Sequence, residues 1–378
     1  MKTTFPSTKI ATILFALAGL SPLGVSAEQP AASALRELPT PAEHAMAPSA
    51  AVATHESGAG IHTPPASAAP TTYSYAGSAV SHPSTYYILP NMTAQPIYLG
   101  PYYNPSTSSG AAWVNYLNPY LSYLLRSPYM SSLSVYGVST GSARSGLWTS
   151  ATQPHYSASN PVFLEDASIK STLTSWLKGG YLQPNDTFVV YTEPGVAVRF
   201  NYNNSQTSMN AFLGYHSWFT WVDSRNTTRY ATYIVVPFPG YPNYTPASSG
   251  YATYGDMVTA VTSHEIGECA TDPYAGSYPG WTETIYKVDN TTHQYTVAYS
   301  GVSGEIGDAA VILFPSFSQH NCRLNGYLVQ KLIARDGVSL ITPSGSKAPS
   351  GAFEKIAQPI LKSFDTHLSV YGLELPLP

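Results

Sequence analysis

Charge is scarce in this sequence. Asp, Glu, Lys and Arg make up 10% of its 378 residues, against about a quarter in ordinary soluble domains. The 21 acidic and 17 basic residues leave a net charge of −4. No basic run or basic amphipathic face stands out, which excludes the footprint of a nucleic-acid binder and of a membrane-surface helix. Cysteine is scarcer still, at two residues, so no cysteine cluster for zinc or iron–sulfur exists. The G-x-S-x-G elbow, the P-loop and the dinucleotide fingerprint are missing as well. Long apolar runs are also lacking. The best, "IATILFALAGL" from Ile10, is too short for a confident membrane span.

That run, with Lys2 and Lys9 before it and "VSA" at Val25–Ala27 after it, reads as a secretory signal over residues 1–27. The expectation is a secreted chain, extracellular or periplasmic, without a membrane anchor after signal removal. Abundant neutral polarity suits that setting: 30 tyrosines and many Ser, Thr and Asn hydrate the surface without charge. Sequons at Asn91, Asn185, Asn203, Asn226, Asn243 and Asn290 support export only weakly. Given export, the even cysteine count predicts a disulfide between Cys269 and Cys322.

Residues 28–83 are rich in Ala, Pro, Ser and Thr and lack large apolar side chains, as expected of a disordered linker or pro-segment. Residues 84–345 supply enough chain for one domain with a core; residues 346–378 read as a tail, with one short helix near Phe353–Phe364. Within the domain, "QPIYLGPYY", "LSVYGV", "DTFVVYTEP" and "RYATYIVVPFP" predict strands. Trp113, Leu117, Leu121 and Leu124 recur at helical spacing, with Pro119 as a kink or late start. "EDASIKSTLTSWLKGG" predicts a helix capped by Asp166 or Ser168 and stopped at Gly179. Alternating helices and strands imply an α/β fold: one three-layer-like domain with a mixed sheet, carrying a helix similar to that of the zincins.

That helix is "GDMVTAVTSHEIGECATDP", ended by Pro273. At about 100° per residue, His264 and Glu268 share a face one turn apart. Asp272 continues that face if the helix lasts so long. In the H-E-x-x-H pattern two histidines bind zinc and the glutamate polarises water. Here Glu268 stands where the second histidine would be, a legitimate zinc ligand, and Glu265 is placed as general base. Candidates for the third ligand are Glu305 and Asp308 in "SGEIGDAA", whose glycines allow close approach. His216 in "FLGYHSWF" is the alternative ligand, and Asp272 a group that fixes a ligand's orientation. His293 and His320 lack supporting context. The plainer alternative is that Glu268 and Asp272 face solvent while His264 is a hydrogen-bonded core residue.

"SPYMSSLSVYGV", "YHSWF", "YIVVPFPG", "VTSHEIGECATDP…GW" and "GEIGDAA", in this order over about Thr85 to Thr342, resemble secreted bacterial and fungal proteins distantly related to the plant phosphate-induced, exordium-like family. The resemblance implies a secreted α/β protein associated with cell walls. By position it marks His264, Glu265, Glu268, Thr271, Asp272, Glu305 and Asp308, with His216 and Trp281. Many relatives carry a cysteine soon after G-E-I-G-D, where this chain has Ala309 and Ala310.

The functional expectation is therefore a secreted metal-dependent hydrolase of peptidase type. Zinc is the expected cofactor, with calcium as the alternative, and the substrate is peptide or cell-wall material. The competing expectation is a non-catalytic extracellular module with a structural metal. A chelator melt separates the two.

Overall fold

The computed structural model describes residues 35–39, 73–81, 87–200, 206–274, 280–289, 295–300, 306–314 and 316–349, all within one compact unit, Ala34–Pro378. The signal segment, most of the 28–83 stretch, Glu305, His293 and the helix expected near Phe353–Phe364 lie outside the described residues.

The central sheet contains β1 (Arg36–Glu37), β2 (Thr93–Leu99), β3 (Leu147–Thr149), β4 (Thr187–Thr192), β5 (Tyr215–Val222) and β6 (Thr228–Val236) in the order β1-β3-β2-β4-β6-β5. Neighbours run parallel except β5, which is antiparallel to β6. Ser142–Ala143 adds a short parallel pairing to β2. Period-two alternation sends β4 side chains both ways. Phe188 and Val190 join one buried cluster, Val189 and Tyr191 the other, as a sheet covered on both faces requires.

Helix α1 (Ser108–Arg126) and helix α3 (Tyr254–Thr271) contribute to the cluster of Val189 and Tyr191, and α2 (Asp166–Lys178) to that of Phe188 and Val190. The α/β expectation holds in this form: a mainly parallel sheet with helices on both sides. Thr107 caps α1 by accepting from Gly110 N at 3.0 Å. Helix α1 starts eleven residues before Pro119, so that proline does not delay it. Helix α2 begins as expected, but Asp166 is its first residue and not its cap. The Asp166 carboxylate instead accepts from the hydroxyls of Tyr215 and Tyr233, at 2.7 and 2.5 Å.

Three expectations need correction. "LSVYGV" is not a strand. Leu133–Tyr136 is a turn of 3-10 helix ended by Gly137 at φ 84°. Its three-residue period buries Leu133 and Tyr136 together while Val135 stays exposed. The 28–83 stretch is not a linker throughout, since β1 and the strand Tyr73–Ser81 fall within it. Leu38, just past β1, is buried, and its N–H reaches Trp148 O at 2.6 Å. Tyr73–Ser81 pairs antiparallel with Thr282–Asp289, which also pairs with Tyr295–Ser300. Lastly, Asn243 is a poor glycan acceptor: it is buried, with Nδ2 donating to Val196 O and Phe238 O at 2.9 Å.

Helix α3 is buried along its whole length after Tyr254. The sheet lies on one side of it, and helix α4 (Ile306–Leu313) and the hairpin of β7 (Asn321–Leu324) and β8 (Tyr327–Gln330) also pack against it. A helix enclosed on every side cannot present charge to water, and small hydroxyl residues fill its polar positions. Ser263 Oγ donates to Ala260 O at 2.7 Å and accepts from Gln330 N at 2.9 Å. Tyr120 and Tyr129 reach across to Thr259 O and Ser263 O at 2.5 and 2.6 Å. At the N-terminus, Asp256 holds Arg323 of β7 through two bonds of 2.6 and 2.9 Å.

Candidate metal centre

The C-terminal half of α3 carries the motif, and its helical geometry does what the spacing predicts. His264 Nε2 lies 2.9 Å from Glu268 Oε2, one turn on. Helix α4 brings Asp308 to the same place, with Oδ1 at 3.6 Å from His264 Nε2. These three residues form one group whose donor atoms lie within 4.8 Å of one another. Asp308 thus arrives from a helix and not from a glycine-rich loop. Gly307 before it still provides the close approach: a Cβ there would meet His264 Nδ1 at 2.6 Å and Glu268 Oε1 at 2.8 Å. The backbone takes part too, because Gly307 N and Asp308 N both donate to Glu268 Oε1, at 2.8 and 3.1 Å. Those amide donors were invisible to side-chain motif reading.

His216 comes from β5. It stands opposite Ile234 of β6, and Ile234 belongs to the cluster on the face of α3. Its neighbour Tyr215 belongs to the other face. His216 Nδ1 is 3.3 Å from Glu265 Oε2 and 3.8 Å from Glu268 Oε2. Its Nε2 is 3.2 Å from the backbone oxygen of Asp272. A carbonyl only accepts, so Nε2 carries the proton, and a neutral ring directs the Nδ1 lone pair at the carboxylates. His216, Glu265 and Glu268 form a second group within 4.8 Å.

Asp272 does not extend the helical face. Helix α3 ends at Thr271, and Asp272 follows at φ −142° and ψ 66° as its C-cap. Its Oδ1 accepts from Gly280 N at 2.8 Å, while its carbonyl accepts a hydrogen bond from His216 Nε2. It therefore orients His216 and belongs to neither group of donors. His320 joins neither group; its Nδ1 donates to Phe314 O at 2.7 Å.

The solvent-facing alternative is removed by burial. His264, Glu268 and Asp272 are 0% exposed, Glu265 and His216 1%, and Asp308 4%. Four carboxylates and two imidazoles share this interior, and among the described residues their ion pairs run only to one another. Burial alone would lower His264, but the charges of Glu268, Glu265 and Asp308 push it up to about 10. Burial also lowers His216, again outweighed by Glu265 and its neighbours, so that it is raised. Burial raises Glu265 against the pull of both histidines, and raises Asp272 to about 7. Such directions describe an interior in which protons or a cation offset the carboxylate charge. Glu265 Oε1 and Asp272 Oδ2 are buried without a hydrogen-bond partner among the described residues. Orphaned oxygens of this kind are rare unless something else satisfies them. The cluster could hold a metal ion.

The disulfide expectation is corrected: Cys269 and Cys322 are both free and buried. Cys269 lies against Thr232 of β6 and Thr187 of β4. Cys322 sits in the hairpin, beside Ser346. Helix α3 packs against both the sheet and the hairpin, so its two sides separate the thiols. Burial raises both of them, which disfavours the reactive thiolate.

No protein family, curated protein or solved structure matches the chain.

Proposed function

We propose that this chain is a secreted metal-dependent hydrolase of peptidase type, with a zinc ion held by His264, Glu268 and Asp308. The observation that carries the reading is the convergence of one imidazole and two carboxylates, from α3 and α4, on a common point. One histidine with carboxylates is a donor set zinc accepts. Calcium needs six to eight oxygens, more than this group offers. The bound cation supplies Lewis acidity toward water and a substrate carbonyl.

Glu265 then acts as general base. Its Oε2 is fixed by His216, whose own orientation is set by the Asp272 carbonyl. Its Oε1, buried and without a described hydrogen-bond partner, is the atom that takes the proton from water. General-base catalysis of this kind is worth about 10²–10⁴-fold. The resemblance to exordium-like proteins supports an extracellular setting and gives no reaction.

One observation favours a second reading, a non-catalytic module with a structural metal: all three ligands are at most 4% exposed. Glu265→Gln separates the two when assayed on labelled casein with metal content measured in parallel. Hydrolysis falling at least about 10²-fold, with one zinc retained, agrees with the general base. Undiminished turnover in the variant sinks that mechanism. A zinc-loaded wild type that cleaves nothing, and melts on chelation, is the structural module.

A further inference from the structure

We propose that His216, Glu265 and Glu268 form a second divalent-cation site adjoining the first, and that filling it withdraws Glu265 from the chemistry, so that excess metal inhibits. The inhibitory part rests on the hydrolytic reading above; the site itself does not.

The spacing of donor atoms carries the argument. Four donors about 2.1 Å from a tetrahedral zinc lie about 3.4 Å from one another. In the second group His216 Nδ1 is 3.3 Å from Glu265 Oε2 and 3.8 Å from Glu268 Oε2. In the first, the corresponding distances are 2.9 and 3.6 Å. Both groups bracket the tetrahedral edge equally well. They share Glu268, whose Oε1 is engaged by the amides of Gly307 and Asp308. Those bonds set the carboxylate so that the same Oε2 faces both imidazoles.

His216 is also oriented as a ligand. Nε2 donates to the Asp272 carbonyl, so Nδ1 is the ring nitrogen that points into the group. A second hydrogen bond of this kind, imidazole to backbone carbonyl, regularly orients metal-bound histidines. His216 Nδ1 and Glu265 Oε2 lie 3.3 Å apart, close enough to share a proton when the site is empty and to bind one cation in its place, since these atoms and Glu268 form one group of donors within 4.8 Å. Glu265 Oε1, buried and without a hydrogen-bond partner among the described residues, is a further oxygen available to the ion. Bound there, the ion competes for the carboxylate that would otherwise accept a proton from water.

The test is a zinc titration of the full chain, read by native mass spectrometry and calorimetry after chelation and desalting. Wild type is expected to bind two ions, the second at least about tenfold more weakly. His216→Ala and Glu265→Gln should each bind one, and Glu268→Gln neither tightly. Saturation of the wild type at one ion overturns the proposal, as does a second ion retained in both variants. Glu265→Gln is nearly isosteric, so it keeps the test decisive if His216→Ala fails to fold. With casein as substrate, turnover should rise to one equivalent of zinc and fall as the second binds. Turnover that stays constant through the second equivalent overturns the inhibitory role. Two ions with no turnover at any ratio overturn the hydrolase while supporting the site.

Discussion

Replacing Gly307 by alanine tests how tightly α4 is seated against α3. The new Cβ would lie 2.6 Å from His264 Nδ1, 2.7 Å from Cε1 and 2.8 Å from Glu268 Oε1, where ordinary contact begins at 3.4 Å. The shortfall is about 0.8 Å on the ring and about 0.6 Å on the carboxylate (3.4 less 2.6 and 3.4 less 2.8). His264 is 0% exposed and has no room to retreat in a close-packed interior, so α4 must move. Its retreat lengthens the two amide bonds to Glu268 Oε1, now 2.8 and 3.1 Å. Two effects oppose each other. Alanine gains about 1 kcal/mol over glycine in a helix. Overpacking costs about 1–3 kcal/mol, and each weakened bond to a buried carboxylate costs about 1.5–3 kcal/mol if lost. The net expectation is destabilisation by about 1–4 kcal/mol, or a fall in melting temperature of roughly 2–4 °C per kcal/mol. Zinc affinity should drop about 10–100-fold, the usual consequence of disturbing what orients a ligand. Calorimetric melting and zinc titration read both quantities. A variant that melts higher than wild type and binds zinc equally well would refute the reasoning, because helix propensity would then have been the only effect.

Two further outcomes follow from groups that are not among the candidate ligands. His155 is raised above its ordinary value, chiefly by the hydrogen bond to Glu193. A raised folded pKa stabilises fully below about pH 6.5, and that stability is lost as pH climbs through the folded value. His155→Gln should therefore cost stability near pH 5.5 but not near pH 9. With the ring 40% exposed, the expected loss is about 0.2–1 kcal/mol in urea unfolding; an equal loss at both pH values would contradict the assignment. Cys269 and Cys322, free and buried, should both react with a thiol reagent in denaturant and stay unreactive in the native protein. An intact mass 2 Da below that of the reduced chain, with no titratable thiol, would instead restore the disulfide.

The regular elements were legible because their causes are local. The β-branched and aromatic runs "TFVVYT" and "TRYATYIVV" need no partner to be recognised, and the apolar spacing of Trp113, Leu117, Leu121 and Leu124 marks a helix by itself. The order of strands was not legible, since it depends on which faces meet after folding. Nor was β1, a strand of two residues with exposed, charged side chains. "LSVYGV" misled because Val135, Tyr136 and Val138 are β-branched or aromatic as in a strand, although the chain is already turning out of the helix at Pro128–Ser132.

The site divides along the same line. The pairing of His264 with Glu268 follows from one turn of helix, so spacing sufficed. The third donor, Asp308, reaches them across 40 residues of chain, and only the glycine before it hinted at the contact. His216 had a signal that was available but unused: Tyr215 and Phe219 are large and apolar, so one strand face is taken by the core and the histidine between them must point the other way. Asp272 was placed on the helical face on the condition that the helix reached it, and the helix stops one residue short, at Thr271. The cysteine pairing failed for a related reason, since an even count carries no information about which side of α3 each thiol occupies. What the sequence could not express is the common cause behind all of these. Every donor in the cluster is withdrawn from water by α3 being enclosed between sheet, hairpin and α4, and it is this enclosure that turns a short run of acids and histidines into a group that could hold a cation.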